Sequence, residues 1–367
     1  MTKQNLEKNE DFSGESQKKK KGWKKTLSVV LLVLVNVVVI AVAGFSEFGN
    51  SENAAKLSEV RINGWLLIPA TLCFIIAITS EIYKYVLMLR KMTRKEEAKK
   101  RDDWKIARRT VLLGRYYDNI TPAAVGGQPF QIYYMRKNSG LSKGMSTSIP
   151  MFGMISLQIA FIIIALIGFL FGGVAGDYPA LIVTAWIGLV FYAFWPITVV
   201  GASFFPKVTT KIINFVVKVL AKIKIIKNKD KALNKVEEEV HEYAESVKTI
   251  LKMRGLFAKV VFLSLVFNIL IAMIPYFVLT AFGGDVSFWG CFGTTIAVMS
   301  AVYFIPTPGN SGAAEGTFFV VFSALSTGYV FWAMLVWRFF SYYIYIIMGP
   351  VIYFFIHLEN RKLEKKN

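Results

Sequence analysis

Apolar residues recur along the chain in long runs, separated by short polar or strongly basic stretches. Six runs, at about 26–46, 64–89, 147–172, 181–203, 256–282 and 329–357, are each long enough to cross a hydrocarbon core as a helix. Two further segments are apolar at their flanks but broken at the centre by Pro and Gly. Val111 to Met135 carries Thr-Pro-Ala-Ala-Val-Gly-Gly-Gln-Pro at 121–129, and Trp289 to Leu325 carries Pro-Thr-Pro-Gly-Asn-Ser-Gly-Ala-Ala-Glu-Gly at 306–316. Neither can be an uninterrupted spanning helix, because proline removes a backbone donor and clashes with the preceding turn. The pattern predicts an all-α polytopic membrane protein with about six full transmembrane helices plus two broken units.

Charge then orients the pattern. Eight Lys precede the first run, and ten Lys or Arg lie between Arg90 and Arg109. The stretches 47–63, 173–180 and 283–287 hold only Lys56 and Arg61. The positive-inside rule puts those three outside and both termini inside. Basic residues flank the first broken segment on both sides, so it is expected to enter and leave from the inside. The second lies between Asp285 and the polar turn 326–328 and is expected to enter from outside. Span two, inner hairpin and span three then mirror span five, outer hairpin and span six upside down, a possible inverted repeat of the kind common in transporters. Irregular backbone at membrane depth survives only buried in protein or lining a wet cavity, so the two tips are expected to meet beside a polar pathway.

The polar remainder organises around this body. Residues 1–25 read as a basic cytoplasmic tail, 26–357 as the transmembrane domain, and 358–367 as a second basic cytoplasmic tail. Residues 204–255 form a cytoplasmic amphipathic insert. Within it, Lys207, Lys211, Lys218 and Lys222 share one helical face, opposite Val208, Ile212, Ile213, Val216 and Leu220. This is either an interfacial helix on anionic headgroups or a solvated extension of the span. The helical spacing of Val236, Val240, Tyr243, Val247, Ile250 and Leu251 predicts a second amphipathic helix, read as scaffolding.

Composition agrees and excludes other classes. The chain of 367 residues is 54% hydrophobic with a formal charge of +19. Its cations crowd beside apolar runs, which points to anionic lipid rather than nucleic acid. Cys73 and Cys291 each sit inside an apolar stretch, as small buried hydrophobes. There is no zinc spacing, Walker loop, dinucleotide fingerprint or nucleophile elbow, so neither a cofactor nor a metal is implied and the expectation is a protein that is not an enzyme.

Charges inside hydrocarbon are costly and are therefore candidates for function. Glu315 follows the Gly-rich break and Arg338 lies about ten residues into the last run. They are expected to pair, either as a gate that an anionic headgroup opens or as a static ion pair. Around the first break, Arg115, Asp118, Asn119, Thr121, Gln128 and Gln131 form a polar cluster. Arg115 and Asp118 at i, i+3 could neutralise each other. Gly126 and Gly127 permit close approach, Pro122 and Pro129 are expected to stop the flanking helices, and the helix end between them offers free N–H groups as a phosphate seat. Alternatively, this polarity only satisfies broken backbone. Asn36, Glu81, Gln158 and Asn268 are lesser candidates. The two Asn read as interhelical glue, and Glu81 as an interfacial residue within pairing reach of Lys84. His241 and His357 have no ligand partners at metal spacing.

Gly-Arg-Tyr-Tyr-Asp-Asn-Ile-Thr-Pro-Ala-Ala-Val-Gly-Gly-Gln-Pro at 114–129 and Pro-Thr-Pro-Gly-Asn-Ser-Gly-Ala-Ala-Glu at 306–315 together resemble the two hallmark motifs of the lysylphosphatidylglycerol synthase transmembrane-domain family, the flippase domain of the multiple peptide resistance factor. The resemblance covers nearly all of the chain after the basic tail. It implies a lipid flippase or scramblase of the bacterial cytoplasmic membrane, moving phospholipid, aminoacyl-phosphatidylglycerol or glycolipid, with a link to antimicrobial peptide resistance. It also implies that Thr121, Pro122, Gly126, Gly127, Gln128 and Pro129 belong to an inner site, and Pro306, Pro308, Gly309, Gly312 and Glu315 to an outer one. The chain ends where bifunctional members continue into an acyltransferase-like domain, so a stand-alone member that does not synthesise the lipid is expected. Alternatives are a non-transporting partner of a separate lipid-modifying enzyme, and a membrane enzyme using Asp118 and Glu315 as acid and base. Membrane lipids are the expected partners, a homo-oligomer is possible, and nucleic acid is excluded.

Overall fold

A computed structural model of the chain describes residues 41, 45, 60–92, 102–124, 126–171, 179–222, 229–303, 305–325 and 329–364. The basic N-terminal tail and nearly all of the first expected span lie outside the described residues. Those described are helical throughout, joined by turns. After a 3-10 turn at Gly64–Leu66 come α1 (Leu67–Met92), α2 (Asp103–Ile120), α3 (Gly127–Asn138), α4 (Lys143–Phe171), α5 (Pro179–Phe204), α6 (Pro206–Lys222), α7 (Lys229–Lys252) and α8 (Arg254–Ala281). Then follow α9 (Phe288–Val302), α10 (Ala313–Leu325), α11 (Val330–Arg338) and, after a π-helical turn at Phe339–Tyr343, α12 (Ile344–Glu364). Five of the expected spans are present as helices long and apolar enough to cross a membrane: α1 with its preceding turn, α4, α5, α8, and α11 continued by α12.

Proline explains where the two broken units break. α2 ends at Ile120 because Thr121, preceding Pro122, is held extended at φ −113°, ψ 144°. Thr307, preceding Pro308, is extended in the same way at φ −93°, ψ 151°. Pro129 behaves differently from the expectation: it lies inside the first turn of α3 rather than stopping a helix, a place where its missing N–H costs no intrahelical bond.

The two halves pack by one plan. α1 contacts α2, α2 contacts α3 and α3 contacts α4; likewise α8 contacts α9, α9 contacts α10 and α10 contacts α11. Across the halves, α2 lies on α12 as α9 lies on α4, and α1 and α8 form the shared central pair. That pair is antiparallel, with the Asn63 N–H donating to the Ala281 carbonyl at 2.7 Å. The short turns at the two breaks, Pro122–Ala124 and Pro308–Asn310, touch each other.

One end of the bundle gathers the basic flanks. Arg90 at the end of α1 faces Asp103 at the start of α2, Arg109 of α2 holds Glu359 near the end of α12, and Arg136 of α3 approaches Glu239 of α7. Both outer ends of the α2–α3 unit therefore lie at the same end of the bundle. Two apolar cores flank the middle. Phe74, Phe318, Phe322 and Trp337 build one among α1, α10 and α11, with Phe318 stacked on Trp337 at 4.5 Å. Tyr85, Met88, Val111, Met135, Phe152 and Ile250 build the other among α1, α2, α3, α4 and α7. Lipid-exposed helices gain little from burying apolar surface against each other, so close approach matters more. Gly188 of α5 lies so near the Ser300 backbone of α9 that a Cβ would overlap it.

Candidate functional site

The middle of the bundle holds three acids and three bases: Glu81 and Lys84 on α1, Arg115 and Asp118 on α2, Glu315 on α10 and Arg338 at the end of α11. Two of the bases are tightly paired and one is not.

Glu315 is the third residue of α10, and its carboxylate reaches back to accept the N–H of Gly312 at 2.7 Å through Oε2, the reciprocal half of a capping box. Its other oxygen accepts from Arg338 Nε at 2.7 Å, and the two side chains are 0% and 5% exposed. The Arg338 guanidinium also lies over the Tyr342 ring at 5.0 Å and reaches toward the Gly309 carbonyl at 3.4 Å. Both carboxylate oxygens are thus engaged, and the pair ties the outer break to the last span. Gly309 and Asn310 are in the left-handed region, at φ 58° and 55°, which lets the chain reverse within the break. A Cβ on Gly309 would run into the Tyr342 ring, and Asn119 of the inner unit lies against the same position.

At the inner break the expected phosphate seat is largely filled by the chain itself. The Gly127 N–H donates to Asp118 Oδ1 and the Gly126 N–H to Thr121 Oγ1, each at 2.9 Å, while Thr121 donates to the Tyr117 carbonyl at 2.7 Å. Pro129 has no N–H, so among the described residues only the Gln128 amide of the first helical turn is left without a partner. Asp118 therefore holds the break, and it does not form the expected ion pair with Arg115: no contact within 4.0 Å is found between them. Gln131 is likewise committed, accepting from the Tyr85 hydroxyl at 3.2 Å.

Arg115 is the exception. Its guanidinium lies 4.8 Å over the face of Phe267 at the middle of α8, and no hydrogen bond or ion pair to it is found among the described residues. Its charge is felt by Glu81, Asp118, Tyr303 and Tyr345, which come from α1, α2, the end of α9 and the start of α12. A half-buried arginine with five unused donors is a ready receptor for a phosphate or carboxylate. Gln128 Oε1 on the inner tip and Thr307 Oγ1 on the outer tip are buried without a hydrogen-bond partner among the described residues. Pro122, Pro129 and Pro306 are exposed, whereas Asn119, Pro308 and Gly312 are half-buried at the meeting of the tips.

Glu81 and Lys84 carry more than the interfacial part expected of them. They do pair, at 2.7 Å, but both are buried where α1, α4 and α8 meet, at 3% and 0% exposure. Lys84 also donates to the Gly153 carbonyl at 3.0 Å and to Ser264 Oγ at 3.2 Å, and Ser264 continues to Ser156 Oγ at 3.0 Å. The i, i+3 spacing in an apolar run was the legible signal. Closeness to the basic flank masked the depth, because α2, α4 and α7 fold over that end of α1. Asn268 serves as glue, donating to the Leu157 and Ser264 carbonyls at 3.2 and 2.9 Å.

Multiple apolar helices around a polar centre built from two broken, mutually touching units define a multi-pass α-helical membrane protein with a charged, polar centre at mid-bundle. The model of the lysylphosphatidylglycerol synthase TM region matches residues 26–349, and the chain belongs to that family. A search of curated proteins found no match to the chain.

Proposed function

We propose that this protein carries phospholipid headgroups across the membrane through the polar centre between the two tips, while the acyl chains remain in the bilayer. The observation that carries the reading is Arg115, a cation held at mid-bundle with no hydrogen bond or ion pair to an acid among the described residues. Such a charge is costly unless it does work, and a lipid phosphate supplies the missing acceptor. Asp118 and Thr121 brace the inner tip beside it, and the Glu315–Arg338 pair braces the outer one. In this role Arg338 yields to the phosphate only by exchanging partners with Glu315. Membership of a lipid-related family supports the same class of cargo: phosphatidylglycerol, its aminoacyl derivative or a glycolipid.

The reading takes both broken units as re-entrant hairpins, one from each side, in a bacterial cytoplasmic membrane with both termini inside. The cluster of Arg90, Arg109, Arg136 and Lys143 at one end of the bundle supports taking that end as the inner one, by the positive-inside rule. No bond is made or broken, so the protein acts as a transporter rather than an enzyme. Leaflet exchange in proteoliposomes, with headgroup-labelled phosphatidylglycerol, lysylphosphatidylglycerol and a glycolipid, tests this directly. Selective exchange that Arg115→Ala abolishes is the expected result. No exchange of any lipid by folded wild-type protein would overturn the reading.

A further inference from the structure

We propose that α6 is a second lipid site, separate from the centre: a helix lying in the membrane surface that binds anionic phospholipid through four lysines. At 3.6 residues per turn its side chains fall into three arcs. Lys207, Lys211, Lys218 and Lys222 occupy an arc of about 60°, all four exposed. Next to them, Val208, Ile212, Phe215, Val216 and Val219 fill an arc of about 100°, and they too are exposed, Ile212 by 58% and Phe215 by 68%. The third arc faces the protein: Val217 is buried, and α6 packs on α5 and α7. No acidic residue occurs from Pro206 to Lys222.

Continuity identifies the occupant. α6 starts two residues after the spanning helix α5 ends, so it emerges at the membrane boundary. The exposed apolar belt of α5, including Val190, Phe191, Phe194 and Ile197, runs on through Phe204 and Phe205 to Val208 and Ile212. A surface that begins as acyl-chain contact and ends beside a row of ammonium groups matches the acyl–headgroup boundary of an anionic bilayer. The adjoining helix α7 packs on α4 and α5 with Glu239 near Arg136 and Lys143, which places α6 at the basic end of the bundle.

The test uses full-length protein in vesicles of phosphatidylglycerol mixed with phosphatidylcholine. Nitroxides are attached to Lys211→Cys, Ile212→Cys, Val216→Cys and Lys218→Cys in turn; the native Cys73 and Cys291 are buried. Labels at 212 and 216 are expected to collide with oxygen and be sheltered from a water-soluble nickel chelate, and those at 211 and 218 to show the reverse. Spin-labelled phosphatidylglycerol is expected to be favoured over phosphatidylcholine at the protein surface. That preference should fall by up to about fivefold for each lysine changed to glutamine, with the exposed positions leaving the fold intact. Nickel access at 212 and 216 would put the helix in water, and shielding from both reagents would put a protein partner or second copy on it. Either result, or an unchanged lipid preference in the fourfold Lys→Gln variant, overturns the proposal.

Discussion

Arg338 donates through Nε to Glu315 Oε1 at 2.7 Å, while the second oxygen of that carboxylate closes the N-terminus of α10 through the Gly312 amide. One carboxylate thus caps a helix through one oxygen and neutralises a cation through the other. Breaking a buried pair at one side leaves an uncompensated charge, at a cost of about 3–5 kcal/mol. Arg338→Met and Glu315→Gln should each lower the thermal unfolding midpoint in detergent, with Glu315→Gln the milder because the amide still accepts from Gly312. The double variant should be more stable than Arg338→Met.

Arg115 should behave in the opposite way. It has no hydrogen-bonding partner among the described residues to leave stranded, so Arg115→Met should change the unfolding midpoint little or raise it. Losing a charge-assisted contact of about 1.5–3 kcal/mol to a phosphate should slow lipid exchange by about tenfold or more. Stability and exchange measured on the same preparation separate this residue from Arg338, for which both should fall.

Lys84 is fully buried, with Glu81, Gly153 and Ser264 around it. Lys84→Met removes the cation and strands Glu81, whereas Glu81→Gln keeps an acceptor for the ammonium. Thermal unfolding should show Lys84→Met as the more damaging of the two, by several kcal/mol. Pairing it with Glu81→Leu should restore part of the loss.

Gly309 combines a φ of 58° with contact against the Tyr342 ring. Gly309→Ala adds left-handed strain of about 1–2 kcal/mol and overpacking of about 1–3 kcal/mol. The unfolding midpoint should drop, and Tyr342→Leu in the same chain should recover the overpacking part only.

Glu242 on α7 caps α4 from outside: the Gly144 amide, then Ser142, Lys143 and Arg136, hold its carboxyl below the usual glutamate range. A lowered folded pKa means that docking of α7 is at full strength above pH ~4.3 and weakens as the pH falls through the folded value, because the unfolded state takes up the proton first. Hydrogen-exchange protection factors across residues 229–252, each taken against the intrinsic rate at the same pH, should therefore fall on acidification below that range. Glu242→Gln should show the faster exchange already at neutral pH and lose the acid dependence.

Much of the architecture was legible along the chain because a bilayer leaves few options: apolar runs near 20 residues are helices, and proline in a semi-apolar run breaks one. The sites of the breaks at Thr121–Pro122 and Thr307–Pro308, the amphipathic character of α6 and the partnership of Glu315 with Arg338 all follow from local composition and spacing. Three features did not follow. Asp118 sits i, i+3 from Arg115, yet its carboxylate turns to the Gly127 amide, because the chain reversal brings that donor within 2.9 Å. Gly126 and Gly127 read as a vacant anion seat, but the reversal fills it with the side chains that precede it. Glu81, with Lys84 as its partner, read as interfacial, yet folding of the next helices over α1 buried both. The sequence by itself determined which of the described segments are helices, that they break at Pro122 and Pro308, though not that α3 runs on through Pro129, and which charges lie among apolar residues, since these depend on neighbours a few positions away. Only the tertiary structure decided which of those charges are satisfied, because partners at the centre come from other helices, as far as 180 residues along the chain for Lys84 and Ser264. That is why Arg115, ordinary in the sequence, becomes the one base of the central six charges that no acid pairs with among the described residues.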